Sequence, residues 1–215
     1  MNFIFILFFL GVSFSSSSVC LSTPNSSHLI DSIQSQWDKV QSYQADFKQT
    51  IVSKTLGTRE ESQGTLQVKK PRKLRWESLS PQKSTQILNE NELWQIRQNR
   101  RRKTTQVEYY SNISKVLDAR SLAFLSGSIN IKKSYKYRVL SDGPQKVLLA
   151  LSPLAGGDET YLAEILKPGY YLGALKMESP ESESRIEFSN IQTNVPLSDS
   201  LFQFEPGPKD IVHKN

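Results

Sequence analysis

Few side chains in this sequence stand at a spacing that could do chemistry. Two carboxylate pairs, Glu60-Glu61 and Asp158-Glu159, have the type needed for shared acid and base work. Such pairs act only when a cleft tunes their environments differently. Both flank turn signals, Leu56-Gly57-Thr58 and Gly156-Gly157-Asp158, where solvated charge is expected. His28 and His213 lie near opposite ends of the chain, so neither a histidine metal cluster nor a histidine base has the residues it needs. Serines abound, yet no GxSxG elbow occurs. The Gly156-Gly157 pair reads as a hairpin turn and not as a phosphate loop. Cys20 is the single cysteine, which excludes an intramolecular disulfide and any CxxC site. The expectation is a protein that is not an enzyme and carries no cofactor.

One charge cluster stands out: Arg97, Arg100, Arg101, Arg102 and Lys103. It could meet nucleic acid, anionic headgroups or an acidic partner. The whole chain has 27 Lys+Arg against 21 Asp+Glu, a net charge of +6. That balance is too ordinary for a dedicated nucleic-acid binder. The run is expected at a hairpin tip, as a possible partner contact, with no nucleic-acid partner.

Apolar and aromatic residues remain. Trp37, Phe47, Leu74, Trp76, Trp94 and Phe124 fall on faces that should point inward. Each alone reads as ordinary core. Together they permit an apolar cavity suited to acyl chains, which bind without directional chemistry.

The elements that must position these residues follow from periodicity. Residues 1–20 hold a continuous apolar run, Phe3 to Phe14, followed by four serines. A run of roughly 7–15 apolar residues before small ones is a secretory signal, whereas a membrane span needs about 20. An N-terminal anchor and a lipoprotein signal ending at Cys20 stand as alternatives. Leu29, Ile33, Trp37 and Val40 then recur as one helix face over about 27–41. After Ser42 the period becomes two: Tyr43, Ala45 and Phe47, then Leu66 and Val68, then Leu74 and Trp76. Further strand-like runs span 85–88, 93–96, 135–140, 146–151, 161–166, 172–177 and 185–191. Short strands with turns every ~8–12 residues predict a large, curved antiparallel sheet. Between Tyr110 and Ser134 the alternation stops. Leu122, Phe124 and Leu125 there suit one or two short helices ending at Gly127, packed across the sheet's inner face. Phe202-Gln203-Phe204-Glu205-Pro206 reads as a short aromatic strand stopped by proline. With 215 residues, one domain is the default.

Several segments, in order, resemble a known family. They are Ser42-Tyr-Gln-Ala-Asp-Phe-Lys-Gln49, Gly64-Thr-Leu-Gln-Val-Lys-Lys-Pro71, Leu74-Arg-Trp76, Ile87-Leu88, Leu93-Trp94, the interruption at Ser121–Gly127, and Phe202–Pro206. The chain is similar to the periplasmic outer-membrane lipoprotein carrier family, LolA, over about residues 28–212. The resemblance implies a mainly β fold with α: a half-open antiparallel β-barrel, with helices as a lid over a hydrophobic cavity. Residues 21–215 would form that carrier domain, a monomer of the periplasm. The cavity would be lined by Trp37, Phe47, Leu66, Val68, Leu74, Trp76, Trp94, Leu122, Phe124 and Leu125. An inner-membrane ABC complex would load it with the acyl chains of a lipoprotein, and an outer-membrane acceptor would receive them. The family's basic residue before the proline, usually arginine, contacts the lid. Here it is Lys70, which keeps the charge but lacks the planar fork. An anchored acceptor or a lipid-sensing envelope domain of the same shape is the alternative, and a lipidated Cys20 would favour the acceptor.

Overall fold

The structure, a computed structural model, describes residues 26–99, 104–112 and 129–215. The expected signal segment, the lid residues Leu122, Phe124 and Leu125, and the basic residues Arg100, Arg101, Arg102 and Lys103 lie outside the described residues.

Helix α1 spans Ser26–Lys39 and buries Ile30, Ile33 and Trp37, a 3.6-period stripe. Ile30 is fully buried and Leu29 only partly so, which turns the buried face slightly from the expected one. Six strands follow: β1 Ser42–Ser53, β2 Thr58–Lys69, β3 Lys73–Ser80, β4 Ser84–Asn89, β5 Glu92–Asn99 and β6 Thr104–Tyr110. A single helical turn, α2 at Ile131–Ser134, leads into β7 Tyr135–Asp142, β8 Lys146–Pro153, β9 Thr160–Leu166, β10 Tyr171–Glu178 and β11 Ser182–Thr193. Asn130 caps α2, its side chain accepting from Lys133 N. The chain ends in a 3-10 turn at Asp199–Phe202 and a short strand, β12, at Asp210–Lys214.

The twelve strands among the described residues join one open sheet, in the order β12-β6-β5-β4-β3-β2-β1-β11-β10-β9-β8-β7. Hairpins make most neighbours, as period-two runs with short turns require. At the centre of the sheet the pairing is long-range: β1 meets β11, with Phe47 opposite Phe188.

Two differences from the sequence reading concern the C-terminus. Phe202 and Phe204 are not on a strand. Phe202 ends the 3-10 turn, which Ser198 caps by accepting from Ser200 N. Lys69 and Lys73 both bridge to Asp199, at 2.8 and 3.0 Å. Arg75 donates to Leu201 O and Ser42 Oγ to Val195 O. These ties lay 195–202 across the sheet and keep it from pairing. Strand β12 was not expected, and it pairs parallel to β6.

Candidate functional site

Strand alternation sorts every residue to the inner or the outer face. The inner face is apolar in two adjoining patches. The first patch joins Val147, Leu149, Leu151, Tyr161, Ala163, Ile165 and Leu175 to Ile30, Ile33 and Trp37 of α1 and to Ile129 and Ile131. The helix fills this half. Its attachments are polar at both ends. Gln34 Nε2 donates to Ile129 O, and its Oε1 accepts from Ile131 N, both at 3.0 Å. Lys132 reaches Asp31 and Ser27. Near the C-terminal end, Trp37 Nε1 donates to Tyr170 O at 2.6 Å.

The second patch contains Ala45, Phe47, Leu66, Val68, Leu74, Trp76, Leu88, Leu93, Ile186 and Phe188, all from strands. Phe47 and Trp76 stack with ring centroids 3.9 Å apart. Gly64 makes that pair possible. A Cβ there would lie 1.8 Å from Glu77 O and 3.0 Å from Phe47 Cε1. Tyr43 stands between the patches, beside Leu172, and its phenol donates to Leu172 O at 3.1 Å. Burial raises the Tyr43 pKa, so the hydroxyl remains a donor across the physiological range.

Of the expected cavity residues, Phe47, Leu66, Val68, Leu74 and Trp76 therefore share one patch. Trp37 faces the same side of the sheet, but in the half that α1 occupies. Trp94 is a correction. Leu93 opposes Leu88 on the inner face, so Trp94, opposite Ile87, must point outward. There it packs on Tyr109 and Phe204, with centroids 4.3 and 5.5 Å away. The outer side of β4–β6 is thus a small second core, with Ile87 and Val107 fully buried and Phe202 nearly so. Neighbouring apolar residues Leu93 and Trp94 gave no parity signal that could assign them to faces.

Lys70 lies in the β2–β3 turn, and its ammonium donates to Trp37 O at 2.6 Å. The acceptor is a carbonyl in the last turn of α1, where free carbonyls and the helix dipole favour a cation. Burial lowers the Lys70 pKa, and the Asp38 carboxylate partly restores it. Arg97 is exposed on the inner side of β5, paired in register with Ser84 and Gln106.

A groove of about 480 Å³ opens where β1, β2 and β11 meet, lined by Phe47 and Phe188 of the inner-face patch, by Gly64, and by Asp46, Lys48 and Glu187 among others. Among the described residues, no group of three His, Cys, Asp or Glu could hold a metal.

An open half-barrel with an apolar inner face, part of it filled by a fastened helix, is the class of protein that these features define. The family model described as "Outer membrane lipoprotein carrier protein LolA" matches residues 38–205, and the chain belongs to that family. A protein named outer-membrane lipoprotein carrier protein from Chromobacterium violaceum is 30% identical over 171 residues, 78% of each chain. One of the same name from Dechloromonas aromatica is 22% identical over 182 residues, 82% of this chain and 83% of the relative. The fold is also similar to that of an uncharacterized conserved protein from Thermus thermophilus. That match has a TM-score of 0.55 and 12% identity, and covers 88% of this chain and 99% of the other.

Proposed function

We propose that the protein is a periplasmic carrier. It takes the acyl chains of lipoproteins that an ABC complex releases from the inner membrane and delivers them to an outer-membrane acceptor. The observation that carries this reading is the all-strand apolar patch around Phe47 and Trp76, in a chain of the lipoprotein-carrier family. Exposed acyl chain costs ~0.8 kcal/mol per methylene in water, so a carrier must cover it between membranes. No helix among the described residues is long and apolar enough to cross a membrane. A carrier without its own energy source must also release what it holds. The Lys70–Trp37 bond supports a simple device: it stabilises the empty, closed form and so opposes loading, which offsets part of the binding energy. Handover then runs downhill to a more apolar acceptor. Residues 1–20 are removed on export in this reading.

An environment-sensitive apolar dye tests the binding step. It should bind the empty protein and be displaced by a triacylated lipoprotein. Dye that a large excess of lipoprotein fails to displace would contradict the reading. The mass of the mature N-terminus separates carrier from acceptor: a free terminus near residues 19–21 supports the carrier, and a diacylglyceryl group on Cys20 supports an anchored acceptor.

A further inference from the structure

The C-terminal segment 194–201 meets the attachment of α1 at two points. The first is the junction between α1 and β1. Gln41 N donates to Asn194 Oδ1 at 2.8 Å, Asn194 N donates to Ser42 O at 2.8 Å, and Ser42 Oγ donates to Val195 O at 2.6 Å. The second is the β2–β3 turn, Lys70-Pro71-Arg72. Lys69 and Lys73 close the mouth of this turn, directly opposite each other in the register. Val68 and Leu74 belong to the inner face, so the lysine pair projects from the outer one. Both ammoniums bond the same atom, Oδ1 of Asp199, and Lys69 also donates to Leu197 O at 2.9 Å. The turn and the junction are in turn bonded to each other. Lys70 N donates to Gln41 O at 2.8 Å, and Lys70 Nζ donates to Trp37 O at 2.6 Å.

Charge determines what Asp199 adds. Lys69, Lys70, Arg72 and Lys73 place cations at all but one position of the run 69–73. Like charges directly opposite in an antiparallel pair repel. Arg72 also holds a left-handed conformation, φ 54°, which a residue with a Cβ adopts only where its surroundings impose it. Asp199 supplies the anion between the two lysines. Their hydrogen bonds, that of Lys69 first, hold its carboxyl below the usual range, so it is ionised at neutral pH. Without that charge the two ammoniums repel across the mouth of the turn, and the turn that aims Lys70 loosens.

We infer that Asp199 is a positioning residue for the Lys70 contact. By drawing Lys69 and Lys73 together on the outer face, it sets the turn so that Lys70 reaches Trp37 O. The C-terminal segment thereby governs how readily α1 leaves the sheet. This role deepens the closed-form device proposed above and rests on it.

Hydrogen exchange of the α1 amides, residues 30–37, reads helix release with no cargo present. Lys70→Leu should speed that exchange about 2–30-fold. Asp199→Asn keeps the shape and removes the charge. It acts through exposed, screened pairs, so it should speed exchange about 2–5-fold. In a Lys70→Leu background Asp199→Asn should add nothing, because its effect passes through Lys70. An equal factor in both backgrounds would make Asp199 a general support of the fold and overturn the inference. An unchanged rate for Asp199→Asn alone would overturn it as well. If Lys70→Leu itself leaves α1 exchange unchanged, the Lys70 bond does not fasten the helix. The release device then fails together with this inference, while the acyl-chain reading is left to the dye measurement.

Discussion

Lys70 makes one short bond, to Trp37 O, from a partly desolvated position. A charge-assisted bond of this kind contributes roughly 0.5–2 kcal/mol. Because the bond is made in the empty, closed form, Lys70→Leu should load at least as readily as the parent and transfer cargo about 2–30-fold more slowly. Lys70→Arg should transfer at least as well as the parent, since a guanidinium also reaches a helix carbonyl. Equal transfer rates with equal loading for Lys70→Leu would leave the side chain without a role in release. Gly64 is a stricter case, because the clash at Glu77 O is with backbone and has no side chain to yield. Gly64→Ala should destabilise the fold by about 1–3 kcal/mol, read as a lower urea midpoint. At this scale the sequence was partly legible. Lys70 is placed by its proline and its strand, and Phe47 and Trp76 by alternation. Trp94 was not legible, because the second apolar face that receives it depends on Phe204, far along the chain.

The elements were legible where a single period governs them. Helix α1 follows its 3.6-residue stripe, and the β1–β5 and β7–β11 strands follow turn signals and alternation. Strand β12 has only Ile211 and Val212 as apolar residues, and its parallel partner β6 lies far away in sequence. Nothing local marks it. Phe202 and Phe204 have strand spacing, but the Lys69 and Lys73 bridges to Asp199 tie their segment down as a strap. Helix α1 rests on apolar packing with a few polar ties, and Trp37 provides one of them. Trp37→Phe keeps most of the ring and loses the donor to Tyr170 O. It should cost about 1 kcal/mol in urea unfolding. On the outer face, Glu164 accepts from Lys146 at 2.7 Å and from Arg185 at 3.1 Å. The hydrogen bond from Lys146 leads in holding its pKa below the usual carboxylate range, against the opposing effect of burial. The unfolded group has the higher pKa, so its contribution is complete at neutral pH and is lost as pH falls through the folded value. Glu164→Gln should therefore be less stable than the parent at pH 7, with the gap closing as pH falls through the folded-state pKa of Glu164, which lies below the usual carboxylate range. A gap that stays constant until the acid limit of folding would contradict this assignment.

For the whole molecule, one sheet separates two kinds of burial. The outer face buries Ile87, Val107 and Phe202 among strap and strand, an ordinary small core. The inner face buries one apolar patch against α1 and a second made of strand residues alone. Membership of the lipoprotein-carrier family supports a lipoprotein-binding role, in which, under the proposed function, the acyl chains are what is held. Native mass spectrometry of the protein taken from an osmotic-shock fraction tests it most directly. A one-to-one complex with an acylated lipoprotein is expected, on a chain that has lost residues 1–20 or nearly so. Recovery only with washed membranes, or a protein free of lipoprotein in cells making it at normal levels, would show that it is not such a carrier.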